Sequence, residues 1–263
     1  MYAFEYQRAK TVADAAAALG KSGGKALAGG QSLVGAMKLR LANPGTIVDL
    51  SGIAELKGIK KDGDALVIGA LTTHAEVAAS PVVKQSIPAL AALAEGIGDR
   101  QVRNRGTSGG SNANSDPAAD YPAAVVGLGA TVHTNKRKIA ADDFFKGLYE
   151  TALAGDEIIT AVSFPAPKKA AYVKFPQPAS RFALVGVFVA QTGNGVRVGV
   201  TGASSHAHRA KPIEDALAKS FTADAAKAVK IPAGHLNSDL HGSAEYRAHL
   251  VSVLAGRAVA AMS

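Results

Sequence analysis

The sequence contains no cysteine, and this absence removes several kinds of chemistry at once. Disulfide bonds, zinc–thiolate sites, iron–sulfur ligation and cysteine nucleophiles are all excluded. Any iron–sulfur chemistry connected with this chain must therefore lie on another polypeptide. The sequence also lacks an apolar run of about 18 residues, the length that suggests a membrane span. The segment from Met1 to Arg8 lacks the apolar core of a signal peptide, so we predict a cytoplasmic protein without a membrane span.

Tryptophan is absent as well, and aromatic residues make up only 5% of the chain. Stacking platforms for single-stranded nucleic acid are therefore scarce. The formal net charge is +8, but the basic residues are scattered, so we predict no nucleic-acid binding. Attraction to an acidic partner or substrate explains the positive net charge better than nucleic-acid binding does. A chain of 263 residues with 48% hydrophobic content can bury a substantial core in one or two domains.

The stretch from residue 98 to residue 122 has almost no apolar bulk, although apolar runs flank it. Its composition predicts a long loop rather than a core strand or an amphipathic helix, and such loops are usually functional or disordered. Its glycines let backbone N–H groups approach an anion closely. Its polar side chains can add hydrogen bonds to the same ligand, and the candidates are Thr107, Ser111, Asn114, Asp116 and Asp120. The functional interpretation is a site for a phosphorylated, hydroxyl-rich cofactor, and disorder is the alternative.

A second glycine turn occurs much earlier, at Gly29 and Gly30. A short strand at 26–28 precedes it, a helical pattern follows from Leu33 to Leu41, and a strand at 46–50 comes next. This order predicts a small β–α–β unit whose first turn points backbone N–H groups toward an anion. The turn matches neither the dinucleotide fingerprint nor the P-loop. Because double glycines are common in turns, this signal by itself leaves a structural role equally open.

The remaining pattern predicts an α+β protein. Hairpins are expected around Gly63 and Lys136, and a strand at 157–164 leads to the Pro165–Lys169 stretch, which resembles a linker. Three antiparallel strands and then three helices are expected beyond it. The predicted domains are 1–167, with subdomains of about 1–55 and 56–167, and 168–263.

Other chemistry finds little support in the sequence. No Gly-x-Ser-x-Gly motif exists, so a serine nucleophile elbow is not expected. His206 and His208 lie two residues apart, but no carboxylates of ligand spacing accompany them, and we predict no metal site. Arg103 and Arg105 could clamp a phosphate or brace the long loop by hydrogen bonding to its carbonyl groups, and we expect bracing. Tyr121 and Phe182 could be core residues or faces for a flat ring, and we expect core. No convincing acid–base pair is present, so no catalytic residue is predicted.

Several motifs together resemble the FAD-binding medium subunit of molybdenum hydroxylases, the group of the carbon monoxide dehydrogenase and xanthine dehydrogenase flavoproteins. The matching segments are Ala28-Gly29-Gly30-Gln31-Ser32-Leu33, Met37-Lys38-Leu39-Arg40-Leu41, Gln101-Val102-Arg103-Asn104-Arg105-Gly106-Thr107-Ser108-Gly109-Gly110, Asp116-Pro117-Ala118-Ala119-Asp120, Lys174 to Phe182 and Gly242 to Arg247. The resemblance covers essentially the whole chain. Two glycine motifs in this order and spacing are far more specific than either alone.

The resemblance implies a fold and a set of FAD contacts. The fold is a two-subdomain FAD-binding domain of the vanillyl-alcohol-oxidase type, followed by a smaller C-terminal α/β domain with a three-stranded antiparallel sheet. Both glycine turns are expected to hold the FAD diphosphate, and Asp120 is expected to bond the polar groups of the cofactor. The cofactor-binding residues that the resemblance implies are Ala28, Gly29, Gly30, Gln31, Ser32, Leu33, Ile97, Thr107, Gly109, Gly110, Ser111, Asp120, Ile159, Lys174 and Phe182. Asn114 and Asp116 join them as polar side chains of the long loop.

The resemblance also implies an oxidoreductase subunit that relays electrons. A large molybdopterin subunit would oxidise the substrate, and a small 2Fe-2S subunit would pass electrons to FAD on this chain. FAD would then reduce a terminal acceptor, in a complex expected to be a dimer of heterotrimers. Two alternatives remain open at this point: a self-sufficient flavoprotein oxidase or reductase that binds its substrate at the flavin, and a nucleotide-binding protein without redox activity.

Overall fold

The computed structural model describes residues 1–262. Its N-terminal unit is a small three-stranded sheet in the order β1-β3-β2, with both outer strands parallel to β3. Its elements are β1 (Glu5–Arg8), α1 (Val12–Ser22), β2 (Lys25–Leu27), α2 (Leu33–Lys38) and β3 (Thr46–Asp49). The predicted β–α–β unit is present as β2, α2 and β3. Helix α1 begins at the N-cap Thr11 and ends at Gly23, whose φ of 61° is left-handed, as is common at helix C-termini.

The middle unit is built on a five-stranded antiparallel sheet in the order β4-β5-β10-β6-β7. Its helices cover the sheet and enclose the largest hydrophobic core, which includes Leu90, Phe144 and Phe164. The elements are β4 (Ile59–Asp62), β5 (Ala65–Gly69), α3 (His74–Ala79), α4 (Pro81–Ser86), α5 (Pro88–Glu95), α6 (Arg100–Arg105), α7 (Ser108–Asn114), α8 (Tyr121–Leu128), β6 (Thr131–Thr134), β7 (Lys138–Ala140), α9 (Ala141–Phe144), β8 (Phe145–Gly147), β9 (Glu150–Thr151) and β10 (Ile159–Pro165).

The stretch at 98–122 is not the helix-free loop that its composition predicts, because it contains α6, α7 and the start of α8. Side-chain caps start the first two of these helices. Asp99 accepts a hydrogen bond from the N–H of Val102, and Thr107 accepts one from the N–H of Gly110. Helix α7 packs through glycine against neighbouring backbone instead of through an apolar stripe, so a search for hydrophobic periodicity cannot find it.

The C-terminal unit is an antiparallel sheet in the order β11-β12-β13-β14, covered by helices. Its elements are β11 (Lys169–Pro176), β12 (Ala183–Thr192), β13 (Gly195–Thr201), β14 (His208–Arg209), α10 (Lys211–Lys219), α11 (Ala223–Lys227) and α12 (Ala244–Ala260). The sheet has four strands, so the predicted count of three is wrong. The missed strand β14 has only two residues, which is too short to show any alternation of side chains.

Helix α8, in the middle unit, packs closely against the C-terminal sheet through glycine residues on both elements. A Cβ atom on Gly199 would lie 2.1 Å from the carbonyl oxygen of Ala123, and one on Gly127 would lie 3.0 Å from Phe188. Phe188, on β12, belongs to the core of the middle unit. These glycines let the helix lie directly on the sheet, and Asp120 at the start of α8 is thereby brought to the C-terminal sheet. No helix among residues 1–262 is both long enough and apolar enough to cross a bilayer.

Glu157 stabilises the turn before β10. Its side chain is 1% exposed and receives hydrogen bonds from Arg137, Thr134 and the N–H of Ala154. The hydrogen bonds from Arg137 contribute most to lowering the pKa of Glu157 to about 2. A lowered carboxyl pKa adds stability above the ordinary value near 4.5, and this stability disappears as the pH falls toward 2.

We expect Glu157→Gln to lower the free energy of unfolding by about 2 kcal/mol at neutral pH, because the bonds to the carboxylate are charge-assisted. The difference from the parent protein should shrink on acidification through pH 4 toward pH 2. Urea unfolding at several pH values measures it. A difference that stays constant with pH would contradict this role of the ionised carboxylate.

Candidate functional site

The first glycine turn presents backbone N–H groups that no protein atom accepts. Within residues 1–262, no acceptor is found for the N–H groups of the run Gly29 to Leu33, and the side chain of Ser32 makes no capping bond at the start of α2. Gly30 has a φ of 73°, a left-handed conformation that glycine adopts without strain. Consecutive free N–H groups of this kind form a concave site for an anion.

The second glycine turn is arranged differently, because its N–H groups are used inside the protein. All four N–H groups from Ser108 to Ser111 donate to acceptors of the chain. These bonds, 2.9–3.1 Å long, run from Ser108 to Thr72 O, from Gly109 to Ala70 O, from Gly110 to Thr107 Oγ1 and from Ser111 to Thr107 O. The backbone of the second turn is thus held in place by these hydrogen bonds, and its N–H groups are not free to bind a ligand.

The two turns lie directly against each other. A Cβ atom on Gly29 would lie 2.0 Å from the carbonyl oxygen of Arg105, and one on Gly110 would lie 3.5 Å from the Cβ atom of Ala28. Only glycine at position 29 allows this approach, since a distance of 2.0 Å to a backbone atom is a severe overlap. The structure therefore brings together the two turns that the sequence singles out separately.

A second cluster forms around Asp120, whose side chain is only 5% exposed. Lys174 Nζ lies 2.9 Å from Asp120 Oδ1, and the hydroxyl of Tyr172 donates to the same oxygen at 2.6 Å. Burial raises the pKa of Asp120, although Lys174 and Tyr172 act in the opposite direction. Lys174 Nζ also donates to the carbonyl oxygens of Gly96 and Arg181. The cluster thereby links the start of α8, the end of α5 and strand β11.

The other predicted apolar site residues lie at different depths. Ile97 follows Gly96 and is partly buried, whereas Ile159 is 4% exposed and belongs to the core of the middle unit. Phe182 is 48% exposed, so its predicted place in the core is wrong. It follows Arg181, whose carbonyl oxygen accepts from Lys174. Phe182 is therefore next in sequence to a residue, Arg181, that contacts the cluster around Asp120 through its backbone carbonyl group.

Two predicted polar residues, Asn114 and Asp116, lie between the second glycine turn and Asp120 in the chain. Asn114 ends α7, and Ser115 follows it with a left-handed φ of 45°. Asp116 Oδ1 accepts from the N–H of Ala118 at 2.9 Å, and burial raises the pKa of Asp116. These carboxylate and amide groups lie on the segment of chain that connects the second glycine turn to Asp120.

Two further predictions concern neighbouring side chains. Arg103 donates to the carbonyl oxygens of Ile97 and Gly98, so bracing is confirmed for Arg103. No side-chain hydrogen bond of Arg105 is found among residues 1–262, so bracing is wrong for Arg105. Tyr121 is fully buried, so its predicted place in the core is confirmed as well. The ring of His208 lies edge-on to that of His235. Among residues 1–262, no group of three or more acidic or histidine side chains is placed to hold a metal ion.

Comparison with known proteins shows the family of the chain. A family model described as the FAD-binding domain in molybdopterin dehydrogenase matches residues 2–167. The chain belongs to this family. The predicted family is therefore confirmed, and with it an oxidoreductase subunit whose cofactor is FAD.

Two relatives of this flavoprotein family extend the similarity along the chain. The medium chain of carbon monoxide dehydrogenase from Hydrogenophaga pseudoflava is 37% identical, and the alignment covers 97% of this chain and 96% of the relative. The medium subunit of nicotine 6-hydroxylase from Paenarthrobacter nicotinovorans is also 37% identical, over 89% of this chain and 88% of the relative.

The fold agrees with that of a solved flavoprotein complex. Carbon monoxide dehydrogenase from Hydrogenophaga pseudoflava, in a form that lacks the Mo-pyranopterin moiety of its cofactor, superposes with a TM-score of 0.90 at 36% identity. The match covers 99% of this chain and 97% of that chain. The predicted fold class is confirmed, apart from the strand count of the C-terminal sheet.

The site of this flavoprotein also contains a residue that sequence reasoning missed. Tyr172 lies in the same strand as the predicted site residue Lys174 but is itself given no part in the site by the sequence, yet its hydroxyl contacts Asp120. The available signal was its spacing from Lys174, because residues two apart in a strand lie on the same face. That spacing becomes informative only once Lys174 itself is assigned to the site.

Proposed function

We propose that this chain is the FAD-binding medium subunit of a heterotrimeric molybdenum hydroxylase. The observation that carries the proposal is the meeting of the two glycine turns beside a row of free N–H groups. A diphosphate needs several hydrogen-bond donors and close backbone approach, and these turns offer both. The medium-chain names of the relatives support the same assignment.

Within this proposal, the two turns have different tasks. The N–H groups of Gly29 to Leu33 would donate to the diphosphate, because they have no acceptor among residues 1–262. The second turn would form the opposite wall. Gly110 lies against Ala28 there, and a larger side chain at this position would enter the ligand space. The wall includes Thr107, Gly109, Gly110, Ser111 and Asn114.

The remaining proposed contacts lie toward the C-terminal sheet. Asp116 and Asp120 would accept hydrogen bonds from polar groups of the cofactor. Lys174 would hold Asp120, while Ile97 and Phe182 would border the flavin ring. Ile159 would support the site from the core, since its side chain is almost fully buried. When bound, FAD supplies storage of two electrons, so that electrons arriving singly from 2Fe-2S clusters can be delivered to a terminal acceptor.

The partners in this proposal are a small 2Fe-2S subunit and a large molybdopterin subunit, assembled as a dimer of heterotrimers. The absence of cysteine supports this division, because the chain cannot ligate an iron–sulfur cluster through thiolates. A domain boundary at residue 167 and a cytoplasmic location are part of the proposal. Limited proteolysis tests the boundary, and cell fractionation tests the location.

Co-expression of this chain with the genes that neighbour it tests the proposed complex. We expect co-purification with iron–sulfur and molybdenum subunits, and the visible absorption bands of bound flavin. A substrate of the complex should reduce the flavin only when all three subunits are present. Reduction of the flavin by that substrate with the isolated chain would contradict the relay and favour a self-sufficient oxidase or reductase.

Gly110→Val tests the wall that faces the first turn. A Cβ atom at this position would lie 2.8 Å from Thr107 Oγ1 and 3.5 Å from the Cβ atom of Ala28. We expect the variant to fold, because the one atom within 3 Å of the added Cβ is a side-chain hydroxyl and not backbone, but to purify without FAD. The ratio of flavin absorbance to protein absorbance measures retention, and Gly155→Ala, a position with no atom within 4 Å of an added Cβ, is the control. Undiminished flavin content would count against this placement of the second turn.

A further inference from the structure

Asp120 is an aspartate at a helix start that does not cap its helix. It is the N-cap residue of α8, yet its side chain makes no capping hydrogen bond. An aspartate at this position ordinarily accepts from the N–H groups of the first turn, which stabilises the helix by about 1 kcal/mol. Since the carboxylate gives up that interaction, its orientation must come from other elements.

The groups that orient the carboxylate belong to strand β11. Tyr172 Oη donates to Asp120 Oδ1 at 2.6 Å, and Lys174 Nζ lies 2.9 Å from the same oxygen. Both side chains lie on one face of the strand because they are two residues apart. The two donors approach Oδ1 together, and this fixes the direction in which the other oxygen, Oδ2, points. Tyr121, on α8, is the other titratable group influenced by Asp120.

Strand β12 contains a slot for the hydroxyl group of Tyr172. A Cβ atom on Gly186 would lie 2.3 Å from Tyr172 Oη, so any larger residue would displace the hydroxyl. Gly186 pairs with Lys174, and Phe188 pairs with Tyr172, in the register of the two strands. The rings of Tyr172 and Phe188 stack at 6.2 Å with an interplanar angle of 29°. The ring is thus held by packing while its hydroxyl reaches the carboxylate.

We propose that Tyr172 is a positioning residue of the flavin site, which holds the Asp120 carboxylate in the orientation that contacts the cofactor. The inference rests on the proposed function, since it assigns Asp120 a cofactor contact. Lys174 supplies the opposite charge, and its ammonium group is shared between Asp120 and the carbonyl oxygens of Gly96 and Arg181. The Tyr172 hydroxyl supplies the direction, because it sits on a rigid ring in a slot that only glycine leaves open. Gly186 therefore also contributes to the position of the Tyr172 hydroxyl.

Tyr172→Phe in the assembled complex tests the proposal, because it removes one hydroxyl and keeps the ring. We expect FAD affinity to fall about tenfold, the usual effect of losing a hydrogen bond to a charged group. The hydroxyl favours the ionised carboxylate, so its removal raises the pKa of Asp120 further. FAD retention, followed by fluorescence of released flavin, should therefore fail at a higher pH on acidification than in the parent complex.

A matched control and a second variant complete the test. Tyr6→Phe removes another tyrosine hydroxyl that donates to an aspartate, at 2.5 Å from Asp49 Oδ2, and should leave FAD affinity and its pH profile unchanged. Gly186→Ala keeps Tyr172 but displaces its hydroxyl, and should reproduce the effect of Tyr172→Phe.

The outcomes separate this inference from the proposed function. If the parent complex contains no FAD, the proposed function itself fails. If the parent complex binds FAD and Tyr172→Phe has the same affinity and pH profile, only the inference is overturned. In a third outcome, Tyr172→Phe lowers FAD affinity by the same factor at every pH and also lowers the melting temperature of the FAD-free protein. That result would overturn the inference by showing a purely structural role for Tyr172.

Discussion

Gly29→Ala should abolish FAD retention and lower the free energy of unfolding by about 2–3 kcal/mol, as overpacking of a tight contact does. The added Cβ atom would lie 2.0 Å from the carbonyl oxygen of Arg105 and 2.9 Å from the Cα atom of Gly106. Both are backbone atoms of the segment that leads into the second turn, so no side-chain rotation can relieve the overlap. The two turns must separate, and the row of free N–H groups then loses its opposite wall.

Measurement of flavin content and urea unfolding for Gly29→Ala and Gly35→Ala tests this expectation. Gly35 lies in α2, only six residues away, and an added Cβ atom there meets nothing within 4 Å. That control should retain FAD and gain up to about 1 kcal/mol, because alanine favours a helix over glycine. Normal flavin content in Gly29→Ala would show that the close contact between the turns is not needed for cofactor binding.

Lys174→Met should destabilise the protein by about 3 kcal/mol at neutral pH and release FAD. The side chains of Lys174 and Asp120 are 14% and 5% exposed, so methionine would leave a buried carboxylate without its counter-charge. Lys136→Met is the matched control, because its partner Asp156 is 40% exposed and surface pairs contribute less than about 1 kcal/mol.

The pH dependence of the Lys174→Met variant follows from the direction of the Asp120 shift. Burial raises the pKa of this carboxyl, and loss of Lys174 removes an interaction that opposes the rise. The folded variant therefore binds a proton more readily than the unfolded chain, so its stability should increase as the pH falls. Urea unfolding between pH 8 and pH 5 measures the difference from the parent protein. A destabilisation that does not decrease on acidification would contradict an unpaired Asp120 as its cause.

The sequence predicts the parts of the fold that depend on local chemistry. Thr73 caps α3 with a complete capping box, and Pro88 starts α5, as hydroxyl residues and proline at helix starts indicate. The β–α–β unit around Gly29 was also predictable, since strand, turn and helix patterns follow one another there.

Other elements depend on contacts that one sequence does not reveal. Strand β1 has four exposed residues and therefore no alternation, so its pairing with β3 leaves no pattern. Helix α7 depends on the approach of Gly109 to Ala70, where an added Cβ atom would lie 2.5 Å away. Helix formation of this kind follows from tertiary packing and not from residue propensity.

Some parts of the candidate site are predictable from local sequence, and others depend on tertiary contacts. The second glycine turn is predictable from composition, because glycine and small polar residues in a long unpatterned stretch indicate a binding loop. The first is predictable only as the turn of a β–α–β unit, which by itself leaves a structural role equally open. Their meeting required the fold, and so did the different use of their N–H groups. Tyr172 was missed because a lone tyrosine in a strand is ordinarily a packing residue. The apolar ring of Phe182 predicts a core position, whereas its place just before β12 leaves it exposed.

A crystal or cryo-electron microscopy structure of the FAD-loaded complex tests the central claim most directly. We predict that the cofactor diphosphate lies within about 3 Å of the N–H groups between Gly29 and Leu33, the ordinary length of such hydrogen bonds. The second turn should face it across the site without donating its own N–H groups. A diphosphate bound elsewhere on the chain, with the N–H groups of Gly29 to Leu33 open to water, would contradict the account.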